Sequence, residues 1–212
     1  MAGVNLDTVI WPLLNCVYPQ MDHRQNTPAA QASPVKPCPR QGLITLFTGD
    51  GRGKTTAAIG TAVRAAGHGL RVLVVFFMKG PDFNHGEVAA LKKVPNITLR
   101  SFGESGWAMP GKDNTAHRLK AAEALSFAAA ALSSGNYDVM VLDEAVSAVS
   151  FGLLPAEAVT RLMDAKPEAL ELILTGRGAA VEIVEKADLV TEMRNVKHPF
   201  DRGVKARAGI DY

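Results

Sequence analysis

The stretch Thr48-Gly49-Asp50-Gly51-Arg52-Gly53-Lys54-Thr55-Thr56 leaves this chain few ways to fold. It follows an apolar run, Leu43 to Phe47, and precedes Ile59, Ala62, Val63 and Ala66, which recur at helical spacing before Gly67 and Gly69 supply a stop. Glycines at alternating positions let consecutive backbone N–H groups turn inward without Cβ clashes. The turn becomes an anion nest at a helix N-terminus, where the dipole also favours phosphate. Lys54 then reaches the outer phosphates and the Thr55 hydroxyl ligates a magnesium ion. The phosphate-binding set read from the motif is Gly49, Asp50, Gly51, Arg52, Gly53, Lys54, Thr55 and Thr56, with Lys54 as the catalytic cation. The general P-loop pattern wants glycine six residues before the lysine, and here Thr48 stands there, so the match is a variant. The alternative is a glycine-rich turn followed by a surface lysine. Strand, Gly-x-Gly-x-Gly, Lys-Thr-Thr and helix in that order speak against it.

Downstream, short apolar runs alternate with helix-period segments, the pattern of βαβ units and a mostly parallel sheet. Strands are expected at Leu43 to Phe47, Arg71 to Phe77, Ile97 to Phe102, Val139 to Leu142, Leu170 to Leu174 and Leu189 to Val190. An Ala-rich stretch, Thr115 to Leu132, and a shorter one after Pro155 fill the other crossovers. No internal repeat is present, so the fold class is α/β: a single P-loop, RecA-like domain over residues 42–212. Residues 1–41 read as a mobile leader, because Pro19 to Gln41 is rich in Pro, Gln, Ala, Ser and Asn and has too little apolar surface to order itself. Met21 is an alternative start.

A second chemical signal is Val139-Met140-Val141-Leu142-Asp143-Glu144, an apolar strand ending in two acids. In P-loop proteins a carboxylate meets the magnesium shell at this place, because the strand ends open onto one crevice at the carboxyl edge of the sheet. A solvated acidic turn is the competing reading, and the phosphate loop favours the functional one. Thr175-Gly176-Arg177 follows another apolar strand. Arg177 is either a ligand contact, since its fork matches phosphate oxygens and amide carbonyls, or part of a polar turn. His85, His117 and His198 lack metal-ligand spacing and read as surface or capping residues. Trp107, in the loop Phe102 to Gly111, reads either as a packing anchor or as a cover over the crevice.

Composition excludes several classes. Among 212 residues, 47% are hydrophobic and 21% charged, in the range of one compact domain. The 23 basic and 21 acidic residues are spread without a basic stripe, so no nucleic-acid partner is expected. Cys16 and Cys38 are too few for a secreted disulfide framework or a four-ligand zinc site, which points to a reduced cytoplasmic setting. The apolar patch Val9 to Leu14 is short and carries Pro12, so no signal peptide or membrane span is expected.

From Gly42 to Tyr212 the ordered motifs resemble the P-loop branch of the corrinoid adenosyltransferases. They are the phosphate loop, Ala65-Ala66-Gly67-His68-Gly69, Phe77-Met78-Lys79-Gly80, Gly86-Glu87, Leu142-Asp143-Glu144, Thr175-Gly176-Arg177, Ala187 to Glu192, and Lys197-His198-Pro199-Phe200 through Gly209-Ile210-Asp211-Tyr212. The resemblance implies that cobalt(I) of a reduced corrinoid attacks the 5′-carbon of ATP and expels triphosphate. It implies magnesium, with manganese as the alternative ion, held by Thr55 and Glu144. It implies also an aromatic wall below the corrin, for which Trp107 is the candidate with Phe102 or Phe83 as substitutes, a flavin-type reductase supplying cobalt(I), and a homodimer. The chain departs from the family pattern at Gly103-Glu104-Ser105-Gly106-Trp107, where Gly-Phe-Thr-Trp is frequent, at Phe76, where Gln is frequent, and in an N-terminus unlike the family's basic helical leader. Two rivals share the phosphate loop: a phosphotransferase or ATPase that cleaves at phosphorus, and a RecA-like binding protein that ATP only switches.

Overall fold

The computed structural model describes residues 41–81, 86–106, 108 and 113–211. The leader, Phe83, His85 and Trp107 lie outside the described residues, apart from Gln41 at the leader's end. The chain runs β1 (Ile44–Thr48), α1 (Lys54–Gly67), β2 (Val72–Phe77), α2 (Gly86–Leu91), β3 (Ile97–Phe102), α3 (Thr115–Ser133), β4 (Val139–Asp143), α4 (Ala145–Ser150), α5 (Ala156–Asp164), β5 (Glu171–Thr175), α6 (Val181–Lys186) and β6 (Leu189–Glu192), then a 3₁₀ turn at Pro199–Arg202. All six expected strands are present, Ile97–Phe102 as expected and the others with an end shifted by one or two residues. The sequence reading passed over α2, α4 and α6, each six residues long. Elements of under two turns show too little periodicity to register.

The strands form one sheet in the order β3-β2-β4-β5-β1-β6, and every pairing is parallel. Parallel sheets bury both faces, so their strands read as continuous apolar runs. In β2, Val72, Val74 and Phe76 face one side, while Leu73, Val75 and Phe77 face the other. The first side meets Ala58, Ala62 and Ala66 of α1, whose small side chains let the helix lie close to Val139, Val141 and Ile173. The second side meets Ala121, Ala124, Ala128 and Leu132 of α3, with Val146 of α4, Leu162 of α5 and Ile183 of α6 completing the layer. Burial of such side chains supplies roughly 25 cal/mol per Å² of apolar surface removed from water. Because all strands run the same way, Thr48, Phe77, Phe102, Asp143, Thr175 and Glu192 end at a single edge, and the segments that follow them face one another.

Candidate active site

The phosphate loop leaves β1 at Thr48 and enters α1 at Lys54. Gly49 has φ 93° and Gly53 φ 116°, conformations that side-chain-bearing residues rarely adopt. Thr48 is not among the described non-glycine residues with positive φ, and its carbonyl takes the Met193 N–H at 2.8 Å. That is why threonine is tolerated where the general pattern has glycine: the residue is still strand. Gly51 is required for another reason. Its N–H donates to the Met193 carbonyl at 2.6 Å, and a Cβ there would lie 2.7 Å from backbone atoms of Met193 and Arg194. The chain leaving β6 therefore braces the loop.

Lys54 is buried, with 6% of its surface exposed, and its ammonium donates to the carbonyls of Gly49 at 2.7 Å and Gly51 at 2.8 Å. Burial pushes its pKa below the ordinary lysine value, and the Arg177 guanidinium pushes the same way, against the opposing pull of Glu144, Asp50 and Asp143. Thr55 is half-buried and Thr56 exposed in the first turn of α1, and Asp50 is exposed on the loop. The Arg52 side chain turns outward, pairing with Asp211 at 2.7 Å and donating to the Ile210 carbonyl, so the C-terminal segment is tied to the loop. Arg207 in turn grips Asp211 through side chain and backbone, holding its carboxyl below the usual carboxylate range.

The acid pair divides sharply. Asp143 is fully buried; its Oδ1 accepts from the Thr175 hydroxyl at 2.8 Å and its Oδ2 from Lys79 Nζ at 2.6 Å. Lys79 follows β2, its exposure is 11%, and its ammonium also sits 4.6 Å from the centre of the Phe76 ring. Glu144 is partly exposed, has φ 62°, and accepts a hydrogen bond from the Ser147 hydroxyl. Arg177 is exposed, and its backbone N–H donates to Ser147 at 2.9 Å. His198 accepts the Phe200 N–H at 3.2 Å, a capping role, and His117 is half-buried on α3. Phe102 packs on Phe127, ring centres 5.4 Å apart.

Lys79, Thr175 and Ser147 received no individual role from the sequence. Lys79 and Thr175 carried the same signal as Arg177, a polar residue where an apolar strand meets the carboxyl edge, and the motifs containing them had been noted. Ser147 gave none, being one small residue in an apolar stretch.

A parallel sheet with a glycine-nested loop on the strand-to-helix turn, a buried lysine and an acid at a neighbouring strand end defines a P-loop nucleotide-binding protein of the RecA-like kind. A KaiC-like protein from Pyrococcus horikoshii OT3 shares this fold at TM-score 0.52 and 19% identity, over 74% of this chain and 75% of that one. A family model, ATP:corrinoid adenosyltransferase BtuR/CobO/CobP, matches residues 40–212. A corrinoid adenosyltransferase of Escherichia coli (strain K12) is 40% identical over 172 residues, 81% of this chain and 86% of its own length. Corrinoid adenosyltransferase CobA of Salmonella typhimurium is likewise 40% identical over 81% of this chain and 86% of its own length, and a Pseudomonas aeruginosa relative is 36% identical over 81% and 84%. The chain belongs to the ATP:corrinoid adenosyltransferase family and is an enzyme that moves the adenosyl group of ATP to the cobalt of a corrinoid.

Proposed function

We propose that transfer takes place at the carboxyl edge of the sheet, with the phosphate loop holding the triphosphate of ATP while cobalt(I) attacks the 5′-carbon. The carbon–oxygen bond breaks, the cobalt electron pair forms the cobalt–carbon bond, and triphosphate leaves with the bonding electrons. Negative charge therefore grows on the phosphate oxygens. The backbone N–H groups of the loop, apart from that of Gly51, which the Met193 carbonyl holds, and the Lys54 ammonium meet that charge as it develops, and preorganised donors need no reorganisation during reaction. No general base is required, since the nucleophile is the metal.

The donor set fits a magnesium ion. Thr55 and Glu144 offer oxygen ligands, and the described residues hold no cluster of three or more His, Cys, Asp or Glu that could hold a metal. Magnesium keeps several waters and takes one or two carboxylates plus substrate phosphates, so this sparse set suits it, and manganese fits the same oxygens. When bound, the ion neutralises charge on the leaving triphosphate. Glu144, whose carboxylate is held by Ser147, is the metal ligand in this reading, while Asp143 has both oxygens committed.

Trp107 supplies the wall beneath the corrin. The position of its loop supports this: Gly103 leaves β3 at the same edge, against the backbone of Lys79, where a Cβ would come within 2.5 Å of the Lys79 nitrogen. Arg177, exposed at this edge, meets phosphate or corrin amides. The enzyme works in the cytoplasm, without nucleic acid or membrane, and takes cobalt(I) from a flavin-type reductase. The 23 basic and 21 acidic residues are spread along the chain without the basic stripe that nucleic acid would need. The outer strand β6 exposes Leu189 and Val190, which favours a homodimer.

The observation that carries this reading is the glycine-nested loop between β1 and α1, with buried Lys54 donating to the carbonyls of Gly49 and Gly51 at the edge where β4 ends in Asp143 and Glu144 follows. The test is incubation with ATP, magnesium and chemically reduced cobalamin, followed by absorbance for the cobalt–carbon bond and by phosphorus NMR. Triphosphate formed in step with the alkylated corrinoid is expected; ADP in its place identifies a phosphotransferase.

A further inference from the structure

Each acid at the end of β4 is met by a hydroxyl from outside that strand, and each hydroxyl also accepts a backbone N–H. Thr175, closing β5, donates to Asp143 Oδ1 at 2.8 Å and accepts from the Glu144 N–H at 2.9 Å. Ser147, in α4, donates to Glu144 Oε2 and accepts from the Arg177 N–H at 2.9 Å. A hydroxyl has one proton, so both are used in a fixed sense: proton to a carboxylate, lone pair to an amide. Both residues are buried, Thr175 at 0% and Ser147 at 4% exposure.

Glu144 is thereby gripped at two points. Its backbone, at φ 62° and ψ 14°, occupies a region that non-glycine residues hold only when the surroundings over-determine it. Thr175 fixes its amide and Ser147 its side chain. The approach of the β5 turn depends on Gly176, at φ 149°, where a Cβ would fall 2.3 Å from the Ser147 nitrogen.

We infer that Thr175 and Ser147 are positioning residues for the Glu144 carboxylate, and that Ser147 locks the Arg177 turn to it, so that the metal ligand and the Arg177 turn are set as one unit. This rests on the reading that Glu144 meets the metal. By holding Oε2, Ser147 fixes the rotation of the carboxylate.

The experiment measures, by calorimetry on the full chain without corrinoid, the factor by which magnesium tightens ATP binding. Glu144→Gln, Ser147→Ala, Thr175→Val and Thr175→Ser are compared with the parent, each checked by thermal melting. Loss of a residue that orients a metal ligand typically costs about 10- to 100-fold in metal affinity. A fall of at least about tenfold in the magnesium factor is expected for Ser147→Ala and Thr175→Val, with Thr175→Ser close to the parent. If Glu144→Gln reduces the factor while folded Ser147→Ala retains it, the positioning role is refuted and the assignment of Glu144 stands. If Glu144→Gln itself retains the factor, the assignment falls and the inference with it. Should Thr175→Val fail to fold, Ser147→Ala decides.

Discussion

Lys79 Nζ lies 2.6 Å from Asp143 Oδ2, and the aspartate it pairs with has no exposed surface. The neighbouring Glu144 is partly exposed and left-handed in its backbone, so the two adjacent acids sit in different surroundings. Asp143→Asn is expected to act on stability. Breaking a buried pair strands a charge and costs about 3–5 kcal/mol. Glu144→Gln is expected to act on metal use. A magnesium titration of turnover beside denaturant unfolding of both variants tests the division, and equal shifts in magnesium requirement for the two would defeat it.

Lys54→Ala removes the cation that the proposed mechanism sets beside the triphosphate. Loss of one preorganised donor typically lowers turnover about 100- to 1,000-fold. The apolar layers on both faces of the sheet do not involve this side chain, so a folded protein is expected. Near-parental turnover by a folded variant would overturn the role of the loop.

Lys54 also predicts a proton linkage. Its pKa is lowered in the free protein, first by burial and then by Arg177, and a bound triphosphate favours the charged form and raises it. Between these two values the complex holds a proton that the free enzyme lacks. Nucleotide binding at alkaline pH is therefore expected to take up a proton and to weaken as pH rises. For folding the sign is opposite: a lysine depressed in the native state binds fewer protons there than when unfolded. Stability of the free enzyme should rise with pH from the lowered value toward 10.5, the ordinary lysine value. Calorimetry of ATP binding in buffers of different ionisation enthalpy reads the uptake, which should vanish in Lys54→Ala.

Arg52 belongs to the loop by sequence, yet its guanidinium is engaged by Asp211 and the Ile210 carbonyl. Its part in phosphate binding is then the backbone amide. Arg52→Ala should change the ATP KM by less than about threefold, the scale of a surface substitution. A loss comparable to that of Lys54→Ala would show that the side chain leaves Asp211 for the triphosphate.

Trp107→Ala should impair reaction from cobalt(II) under a weak reductant more than reaction from cobalt(I) prepared in advance. An apolar face that displaces the lower axial ligand eases reduction, whereas alkyl transfer depends on the triphosphate site. Equal impairment in both assays with a lowered melting temperature would make Trp107 a packing residue.

The sequence by itself determined the parallel α/β layers, the phosphate loop and the family, because these depend on local signals: continuous apolar runs, a 3.6-residue period, and glycines where φ is positive. Its resemblance gave Glu144 rather than Asp143 as the expected metal ligand. How each of the two acids is held was decided only by tertiary structure. The sheet order brings β2 and β5 to either side of β4, so that Lys79 and Thr175, 64 residues before and 32 after Asp143, meet its two oxygens. Ser147 joins Glu144 to Arg177 across 30 residues of chain. The Arg52–Asp211 tie likewise spans almost the whole folded domain. Such contacts follow from which strands become neighbours, and no local pattern of residues records that order.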